Sequence, residues 1–103
     1  MKRKERIVEV LKNQNFQDFD FESKELWLRA KTVMQFVTLR EKKGLKQSDV
    51  AKRMNLTRQM IAKFENMTNS PTLTFLVKYA NALGTEVDVL VKGVGLVELI
   101  NAK

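Results

Sequence analysis

The sequence predicts a mainly α protein that closes with a single β-strand. Three observations carry this. Between residues 24 and 83, apolar side chains recur at spacings of three and four, the period of helices with one buried face. Gly44 and Gly84 stand where those helices would stop. After Gly84 the period changes: Val87, Val89 and Val91 alternate with Glu86, Asp88 and Leu90, as in a strand.

Residues 3–12 read as a short helix with Ile7, Val8 and Leu11 on one side. Residues 13–21 (NQNFQDFDF) read as irregular. Phe16, Phe19 and Phe21, with Trp27, either fold back on the helical core or form a sticky surface for a partner. Ser23 is an N-cap candidate. Leu26, Ala30, Val33 and Val37 then mark a helix from about Lys24 to Lys43, with a break near Lys31–Val33 left open.

Gln47 to Met54 forms the next helix, with Val50, Ala51 and Met54 inward. Asn55 tolerates a left-handed backbone, Leu56 plugs the turn, and Thr57 caps a third helix. In TRQMIAKFEN, Met60, Ile61 and Phe64 make a dry side. Arg58, Gln59, Ala62 and Lys63 make a wet one, with Glu65 at its flank. Residues 66–71 are a loop by composition. Thr72 caps a helix with Leu73, Leu76, Val77, Ala80 and Leu83 inward. The strand over 86–92 needs a partner, either residues 93–100 as a hairpin or another chain.

Composition narrows the functional classes. The chain has 103 residues, enough for one domain with a modest core. It has no cysteine and no histidine, which removes thiolate chemistry, the commonest general base and the commonest zinc ligand. No Gly-rich phosphate loop or metal-ligand spacing appears, so neither an enzyme nor a cofactor or metal is expected. The basic start lacks the apolar run and cleavage site of a signal peptide. No apolar run is long enough for a membrane span, and the expected location is cytoplasmic. The net charge is +7, and residues 40–68 alone carry +5, with a further +3 on residues 1–12. That concentration points to a polyanion, nucleic acid ahead of an anionic membrane.

Residues 39–84 resemble the Xre-type, Cro/CI (λ-repressor-like) helix-turn-helix family. The matching marks are Arg40, Gly44-Leu45, Gln47, Val50-Ala51, Leu56-Thr57, Ile61, Glu65-Asn66, Pro71, Leu73 and Ala82-Leu83-Gly84. The resemblance implies double-stranded DNA as partner, with the helix after Thr57 entering the major groove. It places Arg58, Gln59 and Lys63 at base edges. Arg suits the paired acceptors of guanine, and Gln can pair with adenine. Lys46, Gln47, Thr57 and Asn66 fall at phosphate contacts. It also implies a structural salt bridge between Arg40 and Glu65. Lys42, Lys43, Lys52 and Arg53 are left open between solvated surface and DNA contact.

The sequence departs from the family at three positions. Lys46 replaces the usual Ser or Thr cap, and Asn55 and Met67 stand where Gly is usual; Met67 puts the loop after the third helix in question. The resulting division is a basic extension over 1–22, the DNA-binding domain over 23–84, and a strand and tail over 85–103. Val87, Val89 and Val91 are expected to form a homodimer. The function implied is a sequence-specific, autoregulatory repressor. A long helix before the motif and a strand after it also resemble the HigA-like antitoxin branch. That alternative adds a protein toxin as partner.

Overall fold

In a computed structural model, residues 20–101 are described and fold into five helices. The expected helix over 3–12 and the plugging roles of Phe16 and Phe19 lie outside the described residues.

Helix α1 spans Phe21–Lys42 without a break. Its N-cap is Asp20, whose carboxylate accepts the Ser23 N–H at 2.8 Å. Ser23 is therefore the capped residue and not the cap, and the helix starts earlier than expected. Gly44, at φ 69°, turns the chain out of α1 and lets the Leu45 N–H close on the Arg40 carbonyl at 3.1 Å. Helix α2 spans Gln47–Met54. Lys46 supplies no side-chain cap, but Asp49 Oδ2 accepts the Lys46 N–H at 2.7 Å.

Asn55 adopts the left-handed conformation, φ 56°, so that the Leu56 N–H can reach the Ala51 carbonyl at 2.8 Å. Helix α3 follows as Arg58–Glu65, with Thr57 Oγ1 accepting the Met60 N–H at 3.2 Å. Helix α4, Leu73–Ala82, starts the same way: Thr72 Oγ1 accepts the Phe75 N–H at 3.0 Å.

The core forms where the four helices meet. On α1, burial begins at Ala30 and continues through Val33, Phe36 and Val37. Val50 and Ala51 of α2, Ile61 and Phe64 of α3, and Leu76, Tyr79 and Leu83 of α4 complete it. Ala51 is 2 % exposed, the small residue that close approach of α2 to its neighbours requires. Phe36, Phe64 and Tyr79 form an aromatic centre with centroids 4.7 to 5.6 Å apart.

Several side chains expected inside lie outside. Leu26 precedes the buried stretch of α1, and Phe21, the plug candidate at its start, is exposed. Met60, Leu73 and Val77 are each at least half exposed. On α3 the buried positions are Ile61, Phe64 and Glu65, so the stripe is centred one residue later than apolar character alone suggests.

The C-terminal strand does not form. Residues 85–95 carry no regular secondary structure, and no strand occurs among the described residues. The proposed hairpin partner is instead helix α5, Leu96–Asn101. A valine alternation specifies a strand only when a second strand closes the ladder, and none of the described residues runs beside 86–92 as one. Of the three valines, only Val87 packs on the core; Val89 and Val91 are 65 % and 68 % exposed.

Candidate nucleic-acid interface

The candidate interface is built around the end of α3. Glu65 is fully buried, 0 % exposed. Arg40 of α1 meets it in a fork, Nε to Oε2 and Nη2 to Oε1, both at 2.8 Å. Tyr79 of α4 donates its hydroxyl to Oε2 at 2.7 Å. Gln47, the first residue of α2, donates Nε2 to Oε1 at 3.0 Å. One carboxylate thus joins all four helices of the domain. The remaining Arg40 Nη1 donates to the Leu45 carbonyl at 2.8 Å, which ties in the α1–α2 turn.

Electrostatics agree with the geometry. Burial alone would raise the Glu65 pKa, but the hydrogen bonds from Arg40, Gln47 and Tyr79 outweigh it and hold the carboxyl below the usual glutamate value. Burial also works against the charge on Arg40, and Glu65 more than offsets it, so the guanidinium pKa is raised. The Tyr79 phenol is pushed far up by burial and by the adjacent carboxylate. Tyr79 was not singled out from the sequence. Its place in the apolar stripe of α4 hides it, and the available signal was a buried phenol that needs an acceptor.

The outer face carries the basic residues. Arg58, Gln59 and Lys63 are exposed on one side of α3, and Lys46, Thr57 and Asn66 are exposed at its approaches and exit. Gln47 has a different position from the other candidates. It is half-buried, and its Oε1 accepts Arg58 Nη1 at 2.9 Å while its Nε2 serves Glu65. It links the buried carboxylate to the first side chain of α3. Arg58 keeps further N–H donors after that bond, since a guanidinium has five.

Arg53, left open between surface and DNA contact, donates Nη1 to the Ala82 carbonyl at 2.8 Å and so covers the C-terminal end of α4. Lys42, Lys43 and Lys52 are exposed. Met67 takes a left-handed conformation, φ 58°, the position where its relatives in the resemblance use Gly.

Two short helices joined by a tight turn, linked to each other through Gln47 and Glu65 and presenting a basic outer face, define a helix-turn-helix unit. A helix-turn-helix family model matches residues 38–90, just over half of the chain. The chain belongs to this family, in its Xre and Cro/CI type, and the family marks it as a DNA-binding transcription regulator. Neither the curated proteins nor the solved structures give a match. No helix among the described residues is long and apolar enough to cross a membrane.

Proposed function

We propose that the protein is a sequence-specific repressor that binds its operator as a homodimer and controls its own gene in the cytoplasm. The observation that carries this is the mounting of α3. Its outer face exposes Arg58, Gln59 and Lys63, and its inner face is anchored by Glu65 to α1, α2 and α4. A rigidly held helix loses little freedom on binding, so its side chains can discriminate bases.

In this reading α3 enters the major groove by its N-terminal end. Arg58, Gln59 and Lys63 meet base edges. Lys46, Thr57 and Asn66 meet phosphates from the adjoining turns. Gln47 acts at the same place, through its bond to Arg58 as well as toward the backbone. It orients the guanidinium before DNA arrives.

A dimer places two copies of α3 about 34 Å apart, one helical turn of DNA. Residues 85–103 supply the dimer contact, through packing of exposed apolar side chains and not through the edge of a strand over 86–92. Val89, Leu90, Val91, Leu96, Val97, Leu99 and Ile100 are all more than half exposed. A six-residue helix is too short to persist alone in water, so α5 needs a covering surface.

The antitoxin alternative rested on a long first helix and a strand after the motif. The 22-residue α1 keeps one of those supports and the missing strand removes the other. The repressor reading stands first.

The test is fluorescence anisotropy on DNA from upstream of the protein's own gene, against shuffled DNA, at two salt concentrations. Preference for the upstream DNA that persists at the higher salt is expected. Arg58→Ala and Lys63→Ala should each weaken that binding by about 1–3 kcal/mol per lost base contact. Wild-type affinity in both variants would place the recognition surface elsewhere, and equal, salt-sensitive binding to both DNAs would remove sequence specificity.

A further inference from the structure

A second polar cluster involves residues upstream of the segment that the family model matches. Glu25 and Arg29 lie one turn apart on α1. Arg29 Nη2 pairs with Glu25 Oε1. The other guanidinium arm, Nη1, reaches the Met67 carbonyl at 3.5 Å. Ser70 Oγ donates to Glu25 Oε1 at 2.9 Å. The pair on α1 therefore grips both ends of the short stretch 67–70, which is the chain's path out of α3. Arg29, and after it Ser70, holds the Glu25 carboxyl below the usual carboxylate range.

That stretch needs holding. Met67 sits at φ 58°, where a side chain with a Cβ is disfavoured. Asn55 shares the conformation, but asparagine tolerates it and methionine does not. Backbone bonds hold the start of the loop: Asn66 N–H to the Ala62 carbonyl at 2.9 Å, and Met67 N–H to the Phe64 carbonyl and Thr68 N–H to the Lys63 carbonyl, both at 3.0 Å. The Met67 side chain packs against the core from one side. The α1 pair adds the contacts to the Met67 carbonyl and the Ser70 hydroxyl.

We propose that Glu25 and Arg29 are positioning residues for DNA: they fasten residues 66–70 beside α3, so that the exit of the recognition helix meets the phosphate backbone already ordered. The proposal rests on the reading of α3 as the recognition helix. It gives the first half of α1, upstream of the segment that the family model matches, a part in DNA binding. A loop that is ordered beforehand loses less freedom when DNA arrives.

The experiment compares the full-length wild type with Glu25→Ala, Arg29→Met and the double variant; Met keeps the aliphatic stem of Arg29 in place. Amide hydrogen exchange is measured without DNA. Anisotropy titrations follow on upstream and on shuffled DNA over a range of salt. Exchange at Met67 and Thr68 should quicken about threefold in each single variant, as expected for loss of a partly exposed pair, with the core amides of α2 and α4 unchanged. Affinity for both DNAs should fall about threefold, with a salt slope shallower by about one phosphate contact.

The double variant should be no weaker than either single one, because both residues act through one cluster. Glu25→Ala is the sharpest arm. It removes a negative charge, so charge alone would tighten binding to DNA, whereas loss of fastening weakens it. Tighter binding by Glu25→Ala, wild-type loop exchange, or faster loop exchange with wild-type affinity and salt slope would each overturn the proposal. A rise in exchange across the whole core would also overturn it, by making the cluster a general stabiliser. A wild type that ignores the upstream sequence defeats the recognition-helix reading instead. The shuffled-DNA titrations still register the loop's backbone contacts in that case, so the two failures are separable.

Discussion

At the scale of single residues, Glu65 organises the junction of the four helices. Its two oxygens accept from Arg40, Gln47 and Tyr79, which leaves the buried charge fully compensated. Such a pair adds little net stability against its desolvation, but breaking it is expensive, about 3–5 kcal/mol when one partner is removed. The pH consequence follows from the direction of the shift. The folded Glu65 pKa lies below the usual 4.5. Its contribution is therefore complete above that value and is lost as pH falls through the lower, folded pKa. Thermal melts should show wild-type stability declining below about pH 4.5. Glu65→Gln should melt lower than wild type at neutral pH and lose much of that acid dependence. Identical acid profiles for the two proteins would assign the dependence to other carboxylates.

At this same scale, legibility varied with chemistry. Arg40 and Glu65 could be paired through the family resemblance, since opposite charges at those two positions have one obvious use. Gln47 could not be assigned uniquely. An amide can donate to phosphate or to carboxylate, and the choice depends on what the fold places beside it. Here Glu65 and Arg58 both lie within reach.

At the scale of elements, the helix starts show how local chemistry works. Thr57 and Thr72 cap α3 and α4 with side-chain oxygens, as their sequence positions predict. Lys46 cannot, and Asp49 takes part of that duty by binding back to the Lys46 N–H. The start of α1 was harder to place, because Asp20 and Ser23 are both good caps and only one can be used. Thr57→Ala should cost about 1 kcal/mol of stability. Urea unfolding would report that loss, and hydrogen exchange should localise it to the first turn of α3. An unchanged midpoint would mean that packing of Ile61 and Phe64, not the cap, holds that end.

The C-terminal element shows the opposite case. A valine alternation over 86–92 has the right period for a strand, yet hydrogen-bond partners for a strand are never local. Without a neighbour, the segment stays irregular and a helix forms after it instead. Period alone cannot supply a ladder.

At the scale of the whole molecule, the chain presents two surfaces of different character. One is the basic face around α3. The other is the segment over 89–100, whose large apolar side chains are mostly exposed. A single self-complementary contact there would give a two-fold dimer. Replacing Leu96 and Ile100 together by Asp should yield monomers in sedimentation. The melting temperature of the α1–α4 domain should stay the same at low concentration, because neither side chain packs on its core. A persistent dimer would move the contact to another surface.

By itself, the sequence determined the helical class, the stops at Gly44 and Gly84, the caps of α3 and α4, and the basic face of α3. These depend on periodicity, backbone freedom and charge, which are properties of neighbouring residues. Only the tertiary structure decided that Tyr79 and Gln47 serve Glu65, that Met67 is held at a left-handed angle, and that residues 86–92 form no strand. Each of these depends on a partner distant in sequence. Burial of a polar group is favourable only where the fold brings such a partner within hydrogen-bond reach.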